Sequence, residues 1–202
     1  MIVTLDGQRL AEQFPPQSTL GEVIDRVREK VADDRLIVAV SLDGRTCAEP
    51  ELNDLLAAPL TAESQVDLEL GSRGSVVADA LRVAAGALTD AEQVRTEATA
   101  ALHAGRTAEG VSRLGEFARI WQGAVQTVIH GGRLVGSDWT GREHEGRPVA
   151  ALLSEFHTAL ASLRDALEAH DMVGLADALH YEFPPLAAGW RSLLESLAAE
   201  YT

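Results

Sequence analysis

The sequence predicts an α+β protein built in two parts, a small mixed sheet-and-helix module followed by an antiparallel four-helix bundle. Up to about Gly71, short apolar runs alternate with Asp-Gly and Pro-rich turns. Beyond Gly74, apolar residues recur at helical spacing almost to the end. The 202 residues also suffice for two small domains, each long enough to bury a core. This grammar places one domain at residues 1–72 and a second at residues 75–202.

In the first part, Ile2 to Leu5 and Gln8 to Phe14 flank Asp6-Gly7. That dipeptide is a hairpin signal, because both central positions of a type I′ turn need positive φ. Pro15-Pro16 closes the second strand. Thr19-Leu-Gly-Glu22 reads as a capping box, hydroxyl and carboxylate each satisfying an orphan backbone donor. Leu20, Val23, Ile24, Val27 and Val31 follow on one helical face. Leu36 to Leu42 reads as a buried strand closed by Asp43-Gly44, Glu51 to Ala57 as a short helix. Val66, Leu68 and Leu70, alternating with Asp67 and Glu69, make a last half-exposed strand.

Strand, strand, helix, strand, short helix, strand is the order of a β-grasp fold. Through Ile2-Val-Thr-Leu-Asp-Gly7, Thr19-Leu-Gly-Glu-Val-Ile24 and Val38-Ala-Val-Ser-Leu-Asp-Gly44, the stretch to about Gly74 resembles ubiquitin-like and sulfur-carrier proteins. The resemblance implies either a recognition module or a carrier adenylated on a free C-terminal Gly-Gly. Here the corresponding place reads Leu70-Gly-Ser-Arg-Gly74 and the chain continues, so a recognition module is the expectation unless the chain is cleaved after Gly74.

Four long helices are expected next. The first spans Ser75 to His103, with Gly86 and Thr89-Asp90 as candidate interruptions. The second begins after Thr107 with Val111, Leu114, Ala118, Trp121, Val125 and Val128 on its seam. The third carries Val149, Leu153, Phe156, Leu160, Leu163 and Leu167. The fourth carries Met172, Leu175, Leu179, Phe183, Leu186, Trp190, Leu193 and Leu197. This last stripe keeps phase across Pro184-Pro185, which predicts one bent helix with freed carbonyls near Tyr181-Glu182. The bend either opens a partner groove or simply wraps the helix around its neighbours. Phe117, Trp121, Phe156, Phe183 and Trp190 belong to the core stripes. Trp139 falls in the glycine- and charge-rich connection Gly131 to Arg147, where it either contacts a partner or packs over the bundle end.

Composition narrows the function classes. The net charge is −14: 14 acidic and six basic residues up to Ser72, 17 and 11 beyond it. No basic cluster suits nucleic acid or an anionic membrane. No run approaches the roughly 20 apolar residues of a membrane span, and the N-terminus lacks the basic region of a secretory signal. With one cysteine, Cys47, there is no disulfide framework, and the cytoplasm is the expected compartment.

The search for chemistry finds no cofactor or metal. His103, His130 and His170 are expected at helix ends, where the dipole and unpaired carbonyls favour them, and at opposite ends of a bundle they do not converge. No Glu-x-x-His pair occurs, and Glu143-His144-Glu145 reads as a solvated turn. Nucleophile elbow, phosphate loop and dinucleotide fingerprint are absent.

From Ala98 to Leu197 the chain resembles the bundle of flagellin-binding export chaperones, through Ala100-Ala-Leu-His-Ala-Gly105, Ile120-Trp-Gln-Gly-Ala-Val-Gln-Thr-Val-Ile129 and Ala169-His-Asp-Met-Val-Gly-Leu175. The resemblance implies a non-enzymatic protein whose grooves hold a helical or disordered segment of another protein, such as an export substrate. Trp139, Tyr181, Glu182, Pro184 and Pro185 are the expected contacts. The alternatives are a sulfur carrier or an enzyme using the first module or the 131–147 loop, and a self-associating scaffold.

Overall fold

The computed structural model describes residues 1–15 and 17–201. It is an α+β protein, a mixed sheet with two helices followed by a mostly helical remainder. The chain divides into two compact units, residues 1–76 and 77–202.

The first unit contains β1 (Ile2–Leu5), β2 (Gln8–Arg9), α1 (Leu20–Arg28), β3 (Arg35–Leu42), β4 (Arg45–Thr46), α2 (Glu49–Leu55) and β5 (Gln65–Ser72). The sheet order is β2-β1-β5-β3-β4, with β1 parallel to β5 and the other pairs antiparallel. Both Asp-Gly dipeptides turn as the sequence implies, with φ of 50° and 75° at Asp6-Gly7 and 51° and 78° at Asp43-Gly44. The aspartates also stitch the hairpins to β5. Asp6 Oδ1 accepts from the Leu70 amide and Asp43 Oδ1 from the Gln65 amide, each at 2.8 Å.

The capping box of α1 is formed. Thr19 Oγ1 accepts from the Glu22 amide at 3.2 Å, and Glu22 Oε2 from the Thr19 amide at 2.9 Å. Leu20, Val23, Ile24 and Val27 close a core with Val3, Val40, Leu60, Val66 and Leu68. The second strand is shorter than its expected run to Phe14. Glu12 pairs with Lys30 at 2.5 Å and Arg26 at 4.0 Å, so the segment after Arg9 follows α1 rather than the sheet edge.

The change of grammar near Gly71 has a local cause. Ser72 Oγ accepts from the Ser75 amide at 2.9 Å, capping α3 (Arg73–His103) directly after β5. This helix runs without interruption through Gly86 and Thr89-Asp90, both of which were candidate breaks. The remainder holds α4 (Thr107–Leu134), β6 (Glu143–His144), β7 (Arg147–Pro148), α5 (Val149–Glu168), α6 (Met172–Tyr181) and α7 (Phe183–Ala199).

Its centre is aromatic. Trp121 stacks on Phe156 at 4.9 Å between centroids, with Phe117, Phe183 and Trp190 edge-on around it. Two core faces are turned from the expected ones. In α5 the buried residues are Val149, Leu152, Phe156, Ala159 and Leu163, with Leu153, Leu160 and Leu167 only half-buried. In α4, Gly110 and Phe117 are buried, whereas Val111 is exposed and Ala118 half-buried. The small residues Ala159 and Gly110 occupy core positions that a search for large apolar side chains passes over.

Three helices end in the same left-handed turn. Gly105 (φ 73°), Gly136 (φ 68°) and His170 (φ 55°) follow α3, α4 and α5, and each site has the paired hydrogen bonds of a Schellman motif. His170 is thus the left-handed residue beyond the helix, and His130 lies inside α4 rather than at its end. A side chain with a Cβ is disfavoured in this conformation. We expect His170→Gly to stabilise the protein by about 0.5–1 kcal/mol in urea unfolding. No gain would show that the His170 Nδ1 contact with the Glu168 carbonyl, at 3.2 Å, offsets the strain.

Candidate functional site

The distinctive local structure is the junction of α6 and α7. Pro184 and Pro185 carry no N–H, so the carbonyls of His180 and Tyr181 lose their helical donors on two successive rungs. The ladder therefore breaks, and the expected single bent helix is two helices that share Glu182. Glu182 keeps helical dihedrals (φ −85°, ψ −36°), and its amide still donates to the Ala178 carbonyl at 3.0 Å. Because no loop intervenes, Leu175, Leu179, Phe183, Leu186, Trp190, Leu193 and Leu197 remain buried in one phase. Arg95 of α3 supports the junction. Its Nη1 donates to the Leu179 carbonyl and its Nε to Glu92 Oε2, both at 3.2 Å, with the arginine side chain only 12% exposed.

Beside this junction α5 and α7 bound a cleft of about 360 Å³. Leu152, Ala159 and Leu186 are its buried apolar floor. Arg147 and Glu155, an ion pair, stand on one side, and Glu182 with Pro185 on the other. Two of the five residues expected at a partner site, Glu182 and Pro185, thus meet in one concavity. Tyr181 is exposed, its ring edge-on to His180 at 4.6 Å, and Pro184 is half-buried; neither is among the described lining residues. Arg147 and Glu155 escaped notice in the sequence because isolated surface charges carry no periodic signal. Leu152 and Ala159 were missed as well, because the sequence reading put Leu153 and Leu160 on that face of α5.

Trp139 is not a surface contact. Its side chain is 2% exposed and lies on Gly131 and Gly132 of α4, with the Tyr201 ring at 5.9 Å. A Cβ on Gly131 would stand 2.9 Å from Trp139 Cζ3, and one on Gly132 would stand 2.7 Å from the Ser137 carbonyl oxygen. The glycine pair is the notch that admits the indole. Within the expected loop, α4 continues to Leu134, and β6 and β7 form a small hairpin turning at Glu145-Gly146 (φ 52° and 74°).

That segment is fastened along its length. Asp138 Oδ1 accepts from the Thr140 hydroxyl at 2.6 Å and the Thr140 amide at 3.1 Å. The Thr140 hydroxyl, then the Gly141 backbone amide, hold the Asp138 carboxyl below its ordinary range. Arg142 donates to both Glu200 oxygens, at 2.9 and 2.8 Å. His144 Nε2 lies 3.0 Å from Ser192 Oγ, which donates to Glu145 Oε1 at 2.7 Å. A carboxylate only accepts, so it takes the single hydroxyl proton and His144 donates through Nε2–H. Ser192 thus bridges His144 and Glu145, tying α7 to the β6–β7 hairpin.

The other sequence candidates are separate. Gly71 lies in β5, where a Cβ would stand 2.7 Å from Val38 Cγ1, and Gly74 is in the first turn of α3. Cys47 is half-buried, its thiol 3.8 Å from the Arg45 carbonyl. Among the described residues, no group of three or more His, Cys, Asp or Glu side chains is arranged to hold a metal ion. Among the same residues, no helix is long and apolar enough to cross a membrane. No family model, no curated protein and no solved structure matches the chain, so the cleft at the α6–α7 junction is judged on its geometry alone.

Proposed function

We propose that residues 1–72 are a β-grasp recognition module and residues 75–202 an antiparallel four-helix bundle, and that the protein is a cytoplasmic, non-enzymatic, chaperone-like binder of a helical or disordered segment of another protein. The sheet order β2-β1-β5-β3-β4, with parallel first and last strands, supports the first part. Connections of three residues between α3 and α4 and between α5 and α6, with α6 and α7 as one bent arm, support the second.

The observation that carries the function is the cleft. Leu152, Ala159 and Leu186 form an apolar floor open to solvent beside a proline-broken helix, bordered by charge on both sides. Such a concavity receives the apolar face of a peptide. Ser192 Oγ, 3.0 Å from His144 Nε2, donates its proton to Glu145 Oε1. The Gly71 to Gly74 stretch is packed in β5 and α3, which favours recognition over carrier chemistry.

Site-specific photo-crosslinking in cells tests this reading. A crosslinking amino acid at Thr158, on the cleft, is expected to give a discrete protein adduct, and one at Gln126, on the exposed face of α4, is not. Equal labelling from both positions, or none from Thr158, rejects the cleft as the binding site.

A further inference from the structure

The charge and hydrogen-bonding groups around the cleft specify what it holds. Resting on the reading above, we propose that the occupant is an amphipathic helix of another protein whose apolar stripe covers Leu152, Ala159 and Leu186 and whose Lys or Arg meets Glu182. Three observations lead there.

Glu155 is matched by Arg147, but Glu182 is exposed and has no ion pair or side-chain hydrogen bond among the described residues. Next to it, Pro184 and Pro185 deprive the His180 and Tyr181 carbonyls of their helical donors, while Arg95 donates to the Leu179 carbonyl one residue earlier. Of the three charged residues that line the cleft, Arg147 and Glu155 match one another and Glu182 is left over. A cationic side chain offers several N–H groups and a positive charge at once.

The walls decide the form of the ligand. Apart from Arg147 in the short β7, the lining belongs to α5 and to the start of α7, whose helical backbone groups are used internally, so an extended strand finds no ladder along them. Leu152 and Ala159, seven residues apart on α5, lie about 10.5 Å apart along the axis. That is the interval between anchors at i and i+7 on a ligand helix. A second copy of this chain is a poor occupant, because each copy carries −14 and their approach sets like charges together.

The experiment uses the full chain and three synthetic amphipathic peptides of about 18 residues, long enough to hold a helix. They share one Leu/Ala apolar stripe and differ only in a Lys, Gln or Glu polar face. Methyl chemical shifts of Leu152, Ala159 and Leu186 are expected to move with the Lys peptide, which should bind about threefold more tightly than the Gln peptide, the size of an exposed ion pair. The Glu peptide should be weakest. The Lys-over-Gln margin should vanish in Glu182→Gln, persist in Glu195→Gln, which makes the same change in net charge, and shrink at high salt.

If all three peptides move the cleft methyls with equal affinity, the basic-helix proposal falls and protein binding at the cleft stands. If none moves them, both fall. A margin that survives Glu182→Gln, or light scattering that shows a dimer abolished by Thr158→Arg, also overturns the proposal.

Discussion

Trp139→Ala is expected to destabilise the helical unit by about 3–5 kcal/mol, the range for truncating a buried large aromatic. The indole is 2% exposed, sits in the notch of Gly131 and Gly132, and touches Tyr201 near the end of the chain. Its loss empties a space floored by the α4 backbone at Gly131 and Gly132, which has no side chains to fill it. Urea unfolding measures the cost, with far-UV circular dichroism as the probe.

A companion substitution approaches the same contact from the other side. Gly131→Ala places a methyl 2.9 Å from Trp139 Cζ3 and 3.2 Å from Val77 Cγ1, so it should destabilise by about 1–3 kcal/mol through overpacking. In the double variant the added methyl enters space the indole has vacated, and the combined cost should fall below the sum. A loss under about 1 kcal/mol for Trp139→Ala, with strict additivity, would mean that the indole is not packed and would return it to the surface.

Arg95→Ala is the second large effect, at about 2–3 kcal/mol. The guanidinium serves two groups that nothing else described reaches, the Leu179 carbonyl at the broken ladder and Glu92 Oε2. Glu92 Oε1 is already buried without a partner, so removing the arginine leaves a partly buried carboxylate unmatched. Arg95→Lys should recover about half of the loss, because an ammonium retains the charge but not the two-directional fork.

The double variant Glu92→Ala/Arg95→Ala should be more stable than Arg95→Ala alone, since the stranded charge is gone. The Glu182 amide shift and the Leu179 methyl shifts should move in Arg95→Ala if the guanidinium positions the junction. A cost no greater than that of an exposed ion pair, with Glu182 unmoved, would show that the prolines set the bend unaided.

The places where sequence and structure part company share a cause. Leu153, Leu160 and Leu167 looked like the core face of α5 because they are large, yet Ala159 and Leu152 point inward. In a close-packed interior, a small side chain is needed wherever a neighbour already fills the volume, here around the stacked Trp121 and Phe156. The second strand failed to run to Phe14 because Glu12 found two cations, Arg26 on α1 and Lys30 just beyond it, a choice between two surfaces that local alternation does not register.

What the amino-acid order determined alone was everything governed by near neighbours. Asp-Gly pairs made type I′ turns, Thr19 and Glu22 made a capping box, and the stripe from Leu175 to Leu197 kept its phase through two prolines. These depend on dihedral preference, backbone donors and helical period, all of which act over a few residues. Only the tertiary structure decided that Trp139 is buried against Tyr201, that Arg95 reaches Leu179 across 84 positions, and that Arg147 faces Glu182 over an apolar floor. Those outcomes follow from the mutual shape and charge of elements far apart in the chain, and no repeat in the sequence records which surfaces will meet.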